Sequence, residues 1–184
     1  FDVVTDVVGD PTGTSFDMMS GMTVTAYQES DCTRATAEEL ADVKYAIVHV
    51  AGPTFNAYGA GMDNPNDTKE YLPISLQYRP YTADTARDPS LAGDVVDGQK
   101  ENRSYKGKSI TASNESDLDL VLNTRAAMPA DAKLILIVEA TNNAQCFHEI
   151  EPSADAILWS WASSGRSFGP AYGRILKGEV EPSA

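Results

Sequence analysis

Two short stretches hold the residues whose types and spacing could do chemistry. Glu70 precedes Tyr71, and Glu101 precedes Asn102-Arg103, in a tract that also carries Tyr78, Arg79, Tyr81 and Tyr105. A carboxylic acid among aromatics and bases suits the protonation of a leaving oxygen, because desolvation raises a carboxyl pKa while nearby cations lower it again. The same spacing also describes a solvated surface glutamate beside an arginine, and the residues alone leave both readings open. Gly107-Lys108-Ser109 ends like a phosphate-cradling loop. However, Asn102 stands where the opening glycine belongs, and a polar approach replaces the apolar strand that such a loop follows. Nucleotide binding is not expected. His49 and His148 have no second histidine at ligand spacing and read as structural. Gly59-Ala-Gly61 lacks a third glycine in register, and Gly165 has no Gly-x-Ser-x-Gly frame, so neither a dinucleotide site nor a hydrolase triad is indicated. No metal and no organic cofactor are expected.

The elements that must position these groups are legible mainly outside the tract. Val3-Val4 and Val7-Val8 suggest a short first strand, and Thr23 to Tyr27 alternates like a second. Thr36 with Glu39 forms a capping-box pattern that predicts a helix over 37–43. Tyr45 to Ala51 is apolar at nearly every position, which predicts a strand in the middle of a sheet. After Gly52-Pro53, about sixty residues (53–113) lack periodicity, and long irregular insertions of that kind are commonly functional. Asn114 caps a predicted helix over 116–128, with Leu118, Val121, Leu122, Arg125 and Ala126 at helical spacing and Pro129 ending it. A buried strand over 133–139, a short helix over 146–150, a strand over 156–161 and a helix over 168–176 stopping at Gly178 complete the pattern. Alternating strands and helices predict an α/β fold: a three-layer sandwich with a mostly parallel sheet and helices on both faces.

A chain of 184 residues is the length of one domain, and the expectation is a single α/β sandwich over 1–184. Apolar residues make up 42% and charged residues 22%, an ordinary globular balance. The formal charge of −13 disfavours nucleic acid and anionic membrane as partners, since both are negative. The longest apolar run, Leu134 to Val138, is far shorter than the roughly twenty residues that span a bilayer. Cys32 and Cys146 could pair, but their spacing matches no metal or redox pattern, and the preferred reading is two buried free thiols. Phe1-Asp2 carries no initiator Met or leader, so the expectation is a processed, truncated or domain-level piece of a larger protein. A soluble chain of this kind is compatible with a secreted or periplasmic location, where the sequons at Asn66, Asn102 and Asn114 would matter only in a eukaryotic pathway.

Against this background, residues 22–184 resemble the C-terminal α/β sandwich domain of glycoside hydrolase family 3, which includes β-glucosidases. The resemblance is carried by Ala46-Ile-Val-His-Val-Ala-Gly52, by Asn102-Arg103 with Ser116 to Met128, and by Lys133 to Ala140. Its most distinctive part is Ala154-Asp-Ala-Ile-Leu-Trp-Ser-Trp161 with Gly173-Arg-Ile-Leu-Lys-Gly-Glu-Val-Glu-Pro-Ser183. Residues 1–21 are a weakly matched lead-in, and Pro73 to Tyr81 with Asn102 to Lys108 look like a subgroup with a long insertion. The sequence departs from the family's usual proline within 140–144 and from its Pro-Gly-Gln turn at 163–167. It stops where relatives continue into Gly-x-Leu-Pro, and it lacks the Ser-Asp-Trp stretch that carries the nucleophilic Asp.

The resemblance implies one lobe of a retaining, exo-acting β-glycosidase, whose partner is a barrel domain absent from this chain and whose substrate is a small saccharide. Retention requires two carboxyl groups about 5–5.5 Å apart, and this lobe would contribute only the acid/base. That role falls to Glu101, with Glu70 as the rival, while Arg79, Arg103, Tyr105 and Lys106 would shape the aglycone side. The alternatives are a noncatalytic α/β module that binds sugar or a protein partner, and a flavodoxin-like enzyme, which would need phosphate-binding turns after its strands.

Overall fold

The structure, a computed structural model, describes residues 4–17, 22–26, 29–53, 75–140, 146–161 and 169–182. The N-terminal region holds β1 (Val7–Val8), β2 (Gly13–Asp17), β3 (Met22–Ala26) and β4 (Cys32–Thr33), in two antiparallel pairs, β1 with β4 and β2 with β3. Val7–Val8 and the Thr23 strand are where the sequence put them; Val4 lies outside any strand. β2 carries one large apolar side chain, Phe16, so no alternation announces it.

α1 (Ala37–Leu40) begins with the capping box expected of Thr36 and Glu39: Glu39 N–H donates to Thr36 Oγ1 at 3.2 Å, and Thr36 N–H donates back to Glu39 Oε2 at 2.8 Å. It is a single turn, shorter than the predicted 37–43. The chain leaves the helix at Ala41 to enter β5 (Tyr45–Ala51) four residues later.

The excursion that follows is not structureless where it is described. β6 (Tyr81–Thr82) pairs antiparallel with β9 (Ser109–Ile110), and β7 (Val95–Val96) pairs with β8 (Gln99–Lys100) inside it, so two short ladders are nested. α2 (Glu115–Ala127), β10 (Lys133–Ala140), β11 (Ala156–Trp161) and α3 (Gly169–Leu176) follow close to their predicted spans. The short helix predicted over 146–150 is not formed. A turn occupies 148–150 and a single 3-10 turn covers Glu151–Ser153, because Pro152 suits the first turn of a helix and not its interior.

β5, β10 and β11 form a three-stranded parallel sheet in the order β11-β10-β5, which makes this a small α/β fold. Its buried face presents Ala46, Val48 and Val50 beside Leu134, Leu136 and Val138, packed against Leu118, Val121, Met128 and Ile150. On α2 the inward line runs Leu118 and Val121 and continues to Met128 at the C-cap, whereas Leu122, at the same helical spacing, is 38% exposed. Arg125 lies on the inner side because its guanidinium ends α2, donating to the Pro129 and Ala132 carbonyls at 2.7 and 3.1 Å.

The expectation that β5 lies mid-sheet is corrected: among the described residues β10 is central and β5 is an edge. Burial along β5 alternates strictly, with Tyr45 67% and Ile47 53% exposed, so its apolar run fills one face and not two. The thiol expectation also needs correction. Both cysteines are free, but Cys146 is exposed and Cys32 half-buried.

Candidate functional site

The described part of the insertion is fastened to the C-terminal edge of the parallel sheet, where ligands bind in open α/β folds. Tyr78 is 1% exposed, and its hydroxyl donates to the Ala51 carbonyl at the end of β5 at 2.6 Å. Burial, with the carboxylates of Asp117 and Glu149 beside it, pushes the Tyr78 hydroxyl far above the ordinary tyrosine range. The two oxygens of Glu149 each take one backbone N–H, Oε2 from Tyr78 at 2.6 Å and Oε1 from Arg79 at 3.0 Å.

Arg79 then reaches α2. Its Nη1 binds Glu115 and its Nη2 binds Asp119 Oδ1 at 2.6 Å, and these two hydrogen bonds hold its guanidinium even more firmly protonated than usual. Arg79, expected on the aglycone side, is therefore also a strut between the insertion and α2. Asn114 adds a third tie. As the N-cap of α2 it makes no side-chain cap bond; instead Nδ2 donates to the Gly52 carbonyl at 3.0 Å and to Asp117 Oδ2 at 3.1 Å, while Asp117 Oδ2 accepts the Ala51 N–H at 3.0 Å.

Beyond this joint, the segment from Arg87 to Lys108 is organised by its own side chains. Asn102 Oδ1 accepts the N–H groups of Ser90 and Ser104, both at 3.0 Å, and its Nδ2 donates to Asp88 Oδ1 at 2.7 Å. Glu101 follows β8 directly. Its N–H donates to the Asp94 carbonyl at 2.8 Å, and its Oε2 accepts Arg103 Nε at 3.0 Å and Nη2 at 2.8 Å. The same Nη2 donates to Asp94 Oδ2 at 2.7 Å.

Asp94 and Glu101 are thus bridged by the Arg103 guanidinium, whose Nη2 holds one oxygen of each. The Glu101 side chain is 41% exposed, and Oε1 lies outside the hydrogen bonds that hold Oε2. Gly93 makes this packing feasible: with φ +144°, a Cβ there would lie 2.3 Å from the Glu101 carbonyl oxygen.

Gly107-Lys108-Ser109 is a turn and not a phosphate loop. Gly107 has φ +74°, Lys108 N–H closes on the Tyr105 carbonyl at 2.8 Å, and Ser109 enters a strand rather than a helix. Lys108 Nζ lies 5.0 Å from the centre of the Tyr105 ring, and Lys106 is exposed beside it. Arg103, Tyr105 and Lys106 therefore share the outer part of the loop with Glu101. Glu70 lies outside the described residues, as does the turn at 163–167.

The residues that sequence reasoning missed are Glu149, Glu115, Asp119 and Asn102, which build and anchor the loop. Only Asn102 sits within the tract; the partners of the others are 36 to 71 residues away. Among the described residues no group of three or more His, Cys, Asp or Glu side chains could hold a metal, and no helix is long and apolar enough to cross a membrane. Compared with known proteins, the chain matches no family model, no curated protein and no solved structure.

Proposed function

We propose that the chain is the C-terminal lobe of a retaining, exo-acting β-glycosidase of the glycoside hydrolase family 3 type, built as a three-layer α/β sandwich. It would supply the acid/base, while a separate barrel domain supplies the nucleophilic Asp. The observation that carries this reading is the placement of Glu101: a half-exposed carboxylate with one oxygen fixed by Arg103 and the other left for a ligand, on a loop bolted to the C-terminal edge of a parallel sheet. Asp94, held by Arg103, is unsuited to be its partner, which is consistent with a nucleophile arriving from outside.

In the first step Glu101 Oε1 would donate a proton to the glycosidic oxygen as the external Asp attacks the anomeric carbon. In the second, the same carboxylate would take a proton from water as the glycosyl ester is hydrolysed. Arg103 orients the carboxylate, and Tyr105 and Lys106 face the leaving group.

The test is nitrophenol release from aryl β-glycosides by this chain alone and after addition of a barrel domain carrying the Ser-Asp-Trp stretch. Activity is expected only for the pair, and Glu101→Ala should be rescued by azide. Activity of the chain alone overturns the lobe assignment and favours a self-contained enzyme. Saccharide binding without turnover in the pair points instead to a noncatalytic module, and absence of azide rescue moves the acid/base role to Glu70 or elsewhere.

A further inference from the structure

The face of the sheet opposite α2 carries a polar cluster that the glycosidase reading does not use. His49 of β5 places Nε2 3.3 Å from Glu139 Oε1 of β10. The same Oε1 accepts the Tyr172 hydroxyl of α3 at 3.3 Å, and that hydroxyl shares a 2.6 Å hydrogen bond with Ser160 Oγ of β11. The His49 and Tyr172 rings meet edge to face, with centroids 6.0 Å apart. His49 of β5 and Tyr172 of α3 therefore meet at one carboxylate oxygen of β10, and β11 joins through the Ser160–Tyr172 hydrogen bond. Tyr172 is the buried residue of α3, a helix of eight residues, so this cluster is one tie between α3 and the sheet.

We propose that His49, Glu139 and Tyr172 form a proton-sensitive latch that holds α3 on the sheet, tighter when the imidazole is charged. An imidazole ordinarily titrates near about pH 6.5. While His49 is neutral, Glu139 receives bonds only from neutral donors, and its side chain is 30% exposed to competing water. Protonation converts the His49 contact into a charge-assisted pair and fixes the Glu139 rotamer, which presents Oε1 to the Tyr172 hydroxyl. With 52% of the imidazole still exposed, desolvation of the cation costs little, and the Tyr172 ring stands edge to face beside the pair.

The groups that face His49 among the described residues are Glu139 on β10 and Tyr172 on α3. Tyr45 and Lys133 lie at the other end of the same face, and α2 with Asp117 lies behind the sheet. The latch tightens below the imidazole range and slackens as pH rises through it.

Amide hydrogen exchange of the whole chain tests this, with protection of the α3 amides taken relative to those of α2 and corrected for intrinsic rates. Wild type should show about threefold greater relative protection of α3 at pH 5.5 than at pH 8, the size of a partly exposed ion pair. His49→Gln, which keeps a neutral N–H donor, and Glu139→Gln should each abolish the difference. Equal protection at both pH values in wild type, or a difference that survives His49→Gln, overturns the latch. Should a variant lose α2 protection, the wild-type NMR titration decides. Relative protection of α3 that changes with the His49 midpoint supports the latch, and protection that ignores it refutes it.

Discussion

Replacing Glu149 tests whether the insertion is held by the joint at Tyr78 and Arg79. The Glu149 carboxylate accepts two backbone N–H groups through different oxygens, at 2.6 and 3.0 Å, and the first belongs to a residue that is 1% exposed. A hydrogen bond to a charged acceptor contributes about 1.5–3 kcal/mol, and a buried N–H left unmatched costs about 1–3 kcal/mol. Allowing water to reach the Arg79 N–H, Glu149→Ala should cost about 2–4 kcal/mol.

Glu149→Gln is the sharper test. A glutamine places one carbonyl oxygen and one NH2 where two acceptors are needed, so one backbone N–H gains a bond and the other faces a donor. The isosteric change should therefore cost nearly as much as truncation to alanine. With a urea slope of about 2 kcal/mol per molar, either variant should lower the denaturation midpoint by about 1–2 M at unchanged slope. Exchange protection in 75–110 should fall further than in β10. A glutamine variant within about 0.5 kcal/mol of wild type would refute the reasoning, because it would mean the joint does not need both oxygens.

Two further outcomes follow from titrating groups. Tyr78, raised by burial and by the Asp117 and Glu149 carboxylates, stabilises the fold fully below the unfolded tyrosine value of about 10 and loses that contribution as pH rises. Absorbance at 295 nm should accordingly show the same native-state amplitude up to about pH 11 for wild type and Tyr78→Phe, and a larger wild-type amplitude contradicts this. Asp155 is lowered by its hydrogen bond to Lys133 Nζ and by the Leu134 N–H, so its contribution is present above about pH 3.9 and is lost as pH falls toward the depressed value. Asp155→Asn should flatten the decline in urea midpoint between about pH 4 and pH 3, and parallel curves for the two proteins would exclude the assignment.

What the sequence made legible is what short-range chemistry decides. The Thr36–Glu39 capping box, the helix stopped by Pro129 and the apolar strand from Lys133 are all determined within a few residues, and each is present. The position of β5 was not legible because an apolar run says how greasy a strand is, not how many neighbours it has; among the described residues only β10 lies beside it, and its alternating burial reflects one covered face. In the candidate site, the Glu101–Arg103 pairing is two residues apart and could be anticipated as a pair. The struts could not. Arg79 reads as a free base until α2 is folded beneath it, and Glu149 offers no local pattern because its partners lie across the chain.

The nested ladders carry a consequence for how this loop can change. Pairing of Tyr81 with Ile110 brings the two ends of a long excursion together, while Arg79 and Glu115 clasp the stem just outside that pair. Once such a stem is closed, each doubling of what it encloses adds only about 0.6 kcal/mol of closure entropy. The stretch between Thr82 and Ser109 is thus an exchangeable cassette: its length and recognition chemistry can drift while the stem and the three strands beneath keep their geometry.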